Sequence, residues 1–225
     1  MRRRSGRLLL TGAFVAAFVL IAMLLGDFLA VSRPLGQDVL VVEAWIPKES
    51  LAQVPSVLRS GRYRYLVVVG YPAQASDKNS LADVAGTELE KLGCDPSTMV
   101  KIRVPFQSTF RSYVIPIGAP PSFGVAFRFQ LTRRTYASAL AVGEWLQSSR
   151  IPAHGVDVLT ASLHARKSWI LFQRAIGDKY RVGIIAAPVM DYNPRYWLLS
   201  KRGIYLAPLC LIGYFYAKCL IFFDR

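Results

Sequence analysis

Residues 160–168 read TASLHARKS and bring together more reactive side chains than any other short stretch of the 225-residue chain. Thr160 and Ser162 carry hydroxyls, His164 is one of only two histidines, and Arg166 and Lys167 add two cations. If a strand leads in and a helix leads out, the free N–H groups and dipole of the helix start attract an anion, and Arg166 and Lys167 reinforce that pull. A phosphate or carboxylate ligand fits this chemistry, with Ser162 and Lys167 among its contacts. His164, titrating near neutrality when unperturbed, can transfer a proton. The same residues also allow a plainer arrangement, in which Ser162 caps the helix and His164 bonds locally. A second feature is Glu43, at the end of the apolar run DVLVVEA (38–44). Burying a carboxylate unpaired is costly, so a cationic partner such as Arg134 or Arg166 is expected. Glu43 then serves either as a base or as half of a structural ion pair.

The elements that must position these groups follow an alternating rhythm. Short apolar runs at 38–44, 65–69, 99–104, 156–160 and 181–187 read as strands. Amphipathic stretches at 51–60, 81–92, 132–148 and about 164–176 read as helices between them. This is the pattern of βαβ units around a mostly parallel sheet, a Rossmann-like three-layer α/β sandwich. Residues 106–131 break the rhythm. Val125, Phe127, Phe129 and Leu131 alternate with Ala126, Arg128 and Gln130, which predicts an inserted β-hairpin at about 106–131. Its exposed aromatics either touch a lipid or glycan or pack over the sheet edge.

In such sheets ligands bind outside the carboxyl ends of the strands, near the point where strand order reverses. That rule selects Glu43, Trp45 and Lys48 after the first strand and Gly70 and Tyr71 after the second. After the fourth come Thr160, Ser162, His164, Arg166 and Lys167; after the fifth, Asp191 and Tyr192. The helix opening at 132 adds Arg133, Arg134 and Thr135. No GxGxxG, Walker loop, GxSxG or HExxH occurs, so the common dinucleotide, NTPase, hydrolase and zinc-protease signatures are missing. Cys94, Cys210 and Cys219 are too scattered for a disulfide framework or a zinc site, and with two histidines no metal centre is expected. The spacing fixes no cofactor.

The formal net charge is +14, which in a soluble chain points to nucleic acid. Arg2, Arg3, Arg4 and Arg7 stand together at the start, leaving 24 basic against 14 acidic residues, a net of +10, over 8–225. Directly after them Leu8–Leu25 runs for 18 residues without a charge. At about 1.5 Å per residue that nearly spans a hydrocarbon core of about 30 Å. A cleaved signal is the rival, but Phe28 is too bulky for the first small position of a cleavage site at 28–30. The predicted organisation is a cytoplasmic basic tail and transmembrane anchor over 1–31, then a domain over 38–225 on the far side of a bacterial inner membrane. Nucleic acid is excluded as a partner on that topology; membrane lipid is expected instead. The stretch 203–223 is also apolar, and reads either as a second span or as a buried or membrane-skimming helix packed on the domain.

Taken together, DVLVVEAWIP (38–47), RRTYASALAVGEWL (133–146), VDVLTASLHARKSWILFQRAIG (156–177), RVGIIAAPVMDYNPRYW (181–197) and YFYAKCLIF (214–222) resemble the YdcF-like family of envelope proteins. The resemblance implies a Rossmann-like domain held to the inner membrane by one N-terminal helix, with the last apolar helix part of the fold. It also implies periplasmic work in envelope integrity, on polyprenyl-phosphate-linked glycan precursors of peptidoglycan or exopolysaccharide. S-adenosylmethionine binding has been associated with the family name. Carried over by motif, the pocket positions are Glu43, Trp45, Gly70, Arg134, Thr135, His164 and Arg166, with His164 and Glu43 as the catalytic pair. Two departures stand out: Gly70-Tyr71-Pro72 replaces paired glycines, and Asn79-Ser80-Leu81-Ala82 replaces a Ser-Glu. Either the site processes an anionic precursor despite them, or this chain is a non-catalytic envelope component that binds an anionic ligand.

Overall fold

The computed structural model describes residues 2–72, 77–105 and 134–223. The hairpin expected at about 106–131 lies outside these, as do Arg133 and the opening of its helix at 132. Five parallel strands, β1 (Gln37–Glu43), β2 (Arg62–Gly70), β3 (Met99–Arg103), β4 (Gly155–Ala161) and β5 (Arg181–Ala187), form one sheet in the order β3-β2-β1-β4-β5. The chain winds outward from β1 to β3, then returns to the other side of β1 with β4. Strand order therefore reverses between β1 and β4, where Val42 pairs with Leu159.

Period-two alternation sorts the strand residues onto two faces. Val39, Val41, Val67, Val69, Val156 and Val158 pack against α5 (Arg134–Ser148) and α6 (Ala165–Ile176) through Ala139, Val142, Leu146 and Phe172. On the opposite face Leu40, Val42, Leu66, Val68 and Leu159 meet α2 (Lys48–Leu51), α3 (Val54–Ser60) and α4 (Leu81–Lys91). The expected single helix over 51–60 is two short ones, with Pro55 in the first turn of α3, where its missing N–H is harmless. These three layers are the predicted α/β sandwich.

Two helices flank the carboxyl end of the sheet: α1 (Arg2–Leu29) and α7 (Lys201–Phe223). Both are long and apolar enough to cross a membrane. Ala22, Leu25, Gly26 and Leu29, one stripe of α1, face the domain, whereas Gly12–Phe14 and Ala16–Ile21 are exposed. The grip is close: Gly26 lies against the Pro194 carbonyl, where any side chain would collide, and Trp197 Nε1 donates to the Ala22 carbonyl at 2.7 Å. After α1 the chain runs antiparallel past β5, with Arg33 and Ile184 exchanging backbone bonds at 2.7 and 3.2 Å. It then turns into β1 by giving the Leu35 and Gly36 N–H groups to the buried Asp157 carboxylate at 2.7–2.9 Å. The Tyr63 hydroxyl donates to the same carboxylate at 2.6 Å. Burial first, and then Asp157, hold that phenol far above its ordinary pKa. Asp157 is thus a structural anchor for the linker, at the end of the sheet remote from the candidate site. α7 packs on α6, on the 3₁₀ turn at 194–199 and on the last turns of α1, and Ala207, Cys210 and Ala217 are buried along it.

Candidate functional site

The carboxyl ends of β1 and β4 converge where the strand order reverses, the place the sheet topology reserves for ligands. Glu43 stands there next to Thr160, on the face that carries α5 and α6. Glu43 is 1% exposed and Thr160 is fully buried. Ser168, one turn into α6 and also fully buried, donates its hydroxyl to Glu43 Oε2 at 2.6 Å. Glu43 Oε1, Thr160 Oγ1 and Ser162 Oγ, in contrast, are buried with no hydrogen-bond partner. Most buried polar atoms in folded proteins are paired, so three orphaned oxygens at one strand edge call for a reason.

Ser162 supplies a second irregularity. It opens a 3₁₀ turn, Ser162–His164, and sits at φ +32°, in the region that side chains rarely adopt. The helix proper starts at Ala165, with His164 as its N-cap and no side-chain cap. Ser162 is therefore not the cap allowed for in the sequence. The Tyr192 phenol lies beside it, outside hydrogen-bond geometry, and burial raises its pKa against a partial offset from Ser162.

His164 is held between two elements. Its ring tilts against Trp45 with centroids 4.8 Å apart, and its Nδ1 is 3.3 Å from Cys210 Sγ on α7. Burial first, and the Lys167 charge second, hold its pKa well below the usual histidine value, so the ring is neutral at neutral pH. Lys167 is itself pushed down by burial, and the Glu43 and Cys210 side chains pull it back part of the way. Its stem runs beside Gly213 of α7. Lys167 thus acts on Glu43 through space, without a contact ion pair.

The expected cationic partner of Glu43 is not at hand in contact, and the reason is local. Arg166 turns outward, donating Nε to the Phe28 carbonyl at 2.6 Å and stacking 4.1 Å from the Phe28 ring centroid, so it fastens α6 to α1. Arg134 sits 4.5 Å from the centroid of Tyr71. Tyr71 is therefore a platform for a cation rather than an obstruction over the strand end. Thr135 is buried one turn before Ala139 on the sheet-facing stripe of α5. Gly70 has a packing role: a side chain there would collide with Ala44, just after β1, and with the Ala82 nitrogen at the start of α4. That start carries a capping box, Ser80 with Asp83, at the place where the Ser-Glu was missed. Lys48 pairs with Glu88 at 3.7 Å, and Asp191 pairs with Arg202, both away from Glu43.

The arrangement brings Glu43, Trp45, Thr160, Ser162, His164, Lys167 and Ser168 to one strand edge. It leaves Arg134 and Arg166 at its flanks and Gly70 in the framework. Ser168 and Cys210 were not singled out by sequence reasoning. Ser168 carried a signal, four residues after His164 on the inner stripe of a helix; Cys210 carried none, lying 46 residues away in an apolar run. Chemically, the site offers a carboxylate oxygen free to accept, two hydroxyls free to donate, a nearby cation and a neutral imidazole. No group of histidine, cysteine and carboxylate side chains that could hold a metal occurs among the described residues. No protein-family model, no curated protein and no solved structure matches the chain.

Proposed function

We propose that the chain is a membrane-anchored protein of the bacterial envelope, of YdcF-like type, with α1 in the inner membrane and the α/β domain in the periplasm. In this reading it binds or processes an anionic, phosphate-bearing glycan or polyprenyl-linked precursor at the β1–β4 edge. The carrying observation is the trio of buried, unpartnered oxygens, Glu43 Oε1, Thr160 Oγ1 and Ser162 Oγ, beside Lys167 and His164. A phosphate group supplies acceptors for the two hydroxyls and a counter-charge for Lys167. Glu43 Oε1 then takes the proton of a substrate hydroxyl or water, and the neutral His164 ring donates or accepts one. Four arginines in the first turns of α1, ahead of its apolar run, support the orientation, since such residues stay on the cytoplasmic side.

The test is binding and turnover of polyprenyl phosphate and its glycan-linked forms by the full-length protein in detergent. Glu43→Gln and His164→Ala are expected to abolish turnover; unchanged turnover in His164→Ala removes that residue from the chemistry. One observation favours the non-catalytic alternative: the three oxygens are sealed from solvent, so water reaches them only if the edge opens. Tight binding with no turnover by the native chain decides for that alternative.

A further inference from the structure

We infer that the paired loops 188–191 and 194–200 form a membrane-seating surface, which enters the phospholipid leaflet nearest the domain and holds the carboxyl edge of the sheet at the lipid–water boundary. The inference rests on α1 being the anchor. The apolar run of α1 ends at Leu25, two residues before its next charge at Asp27, yet the domain grips α1 from Ala22 onward through Trp197 and the Pro194–Gly26 contact. The grip thus overlaps the apolar stretch by four residues, about 6 Å of helix. Whatever is fastened at Ala22 is drawn to that depth, which matches the roughly 5–10 Å that interfacial elements penetrate.

The two loops are built for such a place. Met190 and Leu199 are 84% and 86% exposed, the highest values among the large apolar side chains described. They are brought together, because Ser200 donates its hydroxyl to the Asp191 carbonyl at 2.9 Å and Arg202 pairs with the Asp191 carboxylate. Tyr196, Ile204 and Tyr205 extend the same apolar margin. The margin carries a small net positive charge: Arg195 is 3.8 Å from Asp27 of α1, Arg202 pairs with Asp191, and Lys201 adds a further cation at the start of α7. Apolar tips within a cationic margin fit anionic headgroups over acyl chains. The site is immediately adjacent, because Leu163, between Ser162 and His164, shares one apolar cluster with Ala22, Leu29 and Trp197. A lipid-linked phosphate could then reach the β1–β4 edge while its tail stays in the bilayer.

The experiment places a photo-crosslinking benzoyl-phenylalanine at Leu199, Met190, Phe18 or Val84 in the full-length protein. Each variant is reconstituted in nanodiscs of phosphatidylethanolamine and phosphatidylglycerol and analysed by intact mass. All four positions are exposed, so folding is preserved; Val84, on α4 of the opposite layer, reports water. Lipid adducts at Leu199 and Met190 several-fold above Val84 are expected, alongside adducts at Phe18. Adducts at Phe18 with only the Val84 level at Leu199 and Met190 overturn the seating surface and leave the anchor standing. Absence at all four overturns both, and adducts to a second copy of the chain at Leu199 reassign the surface to self-association.

Discussion

Replacing Ser168 with alanine removes the one hydrogen bond that the Glu43 carboxylate accepts among the described residues, and the structure sets what that costs. Both side chains are buried, the bond is 2.6 Å long, and the second carboxylate oxygen has no donor. Ser168→Ala therefore leaves a buried carboxylate with no hydrogen-bond donor, and only the Lys167 charge acting through space. A hydrogen bond to such a group is worth about 1.5–3 kcal/mol, and orphaning it adds to that, so the loss should be about 2–4 kcal/mol. For a chain of this size the melting temperature should fall by roughly 4–16 °C, at about 2–4 °C per kcal/mol. The assay is thermal unfolding of the full-length protein in detergent. The double variant Glu43→Leu/Ser168→Ala replaces the polar pair with apolar groups and should return to within about 1 kcal/mol of the native chain, or exceed it. That recovery, with anion binding lost, marks Glu43 as retained for function at the expense of stability. Two results refute the reasoning: a Ser168→Ala melt matching the native one, or a double variant no more stable than the single.

Three further expectations follow from separate features. His164 is depressed below its unfolded value near 6.5, so below that pH the unfolded chain binds more protons than the folded one; stability should be full above about pH 6.5 and fall as pH drops through it. His164→Gln should flatten this slope in melts between pH 7.5 and 5, and an equal slope in both proteins counts against it. Gly26→Val sets a side chain against the Pro194 carbonyl and should cost about 1–3 kcal/mol by overpacking, read as faster proteolysis within 188–200; an unchanged cleavage rate contradicts the close contact. Asp157→Ala strips the Leu35, Gly36 and Tyr63 donors of their acceptor and should destabilise by about 3–5 kcal/mol, leaving anion affinity in the surviving folded fraction intact.

Much of the sheet was legible because buried parallel strands are continuous apolar runs: Arg181–Ala187 was read at its observed bounds, and β1 and β4 within a residue at each end. β3, a half-exposed edge strand, gave the weaker pattern expected of its place. The run 160–168 and Glu43 were found because polar residues ending apolar strands conflict with burial unless something pairs them. The pairing itself was not legible. Arg166 was assigned to the site from its position at a helix start, but Phe28 competes for it with both a carbonyl and a ring. That competition exists only after α1 docks, a contact 138 residues away in sequence. Cys210 entered the site for the same reason, through docking of α7. Local pattern located the strand ends, whereas helix docking decided which side chains stayed there.

The linker between α1 and the sheet is a mount rather than a tether. Within eight residues it is fixed three times: at Leu29 in the apolar cluster, at Arg33 against β5, and at Leu35 and Gly36 on Asp157. A flexible leash of that length would let the domain swing and sample a volume of solution; a clamped one transmits every tilt and rotation of α1 directly to the sheet. With α1 anchored, the domain's height and heading would be set by the helix that carries it. For a ligand that is itself held in the membrane, the rate of encounter would then scale with its density per unit membrane area rather than with its bulk concentration.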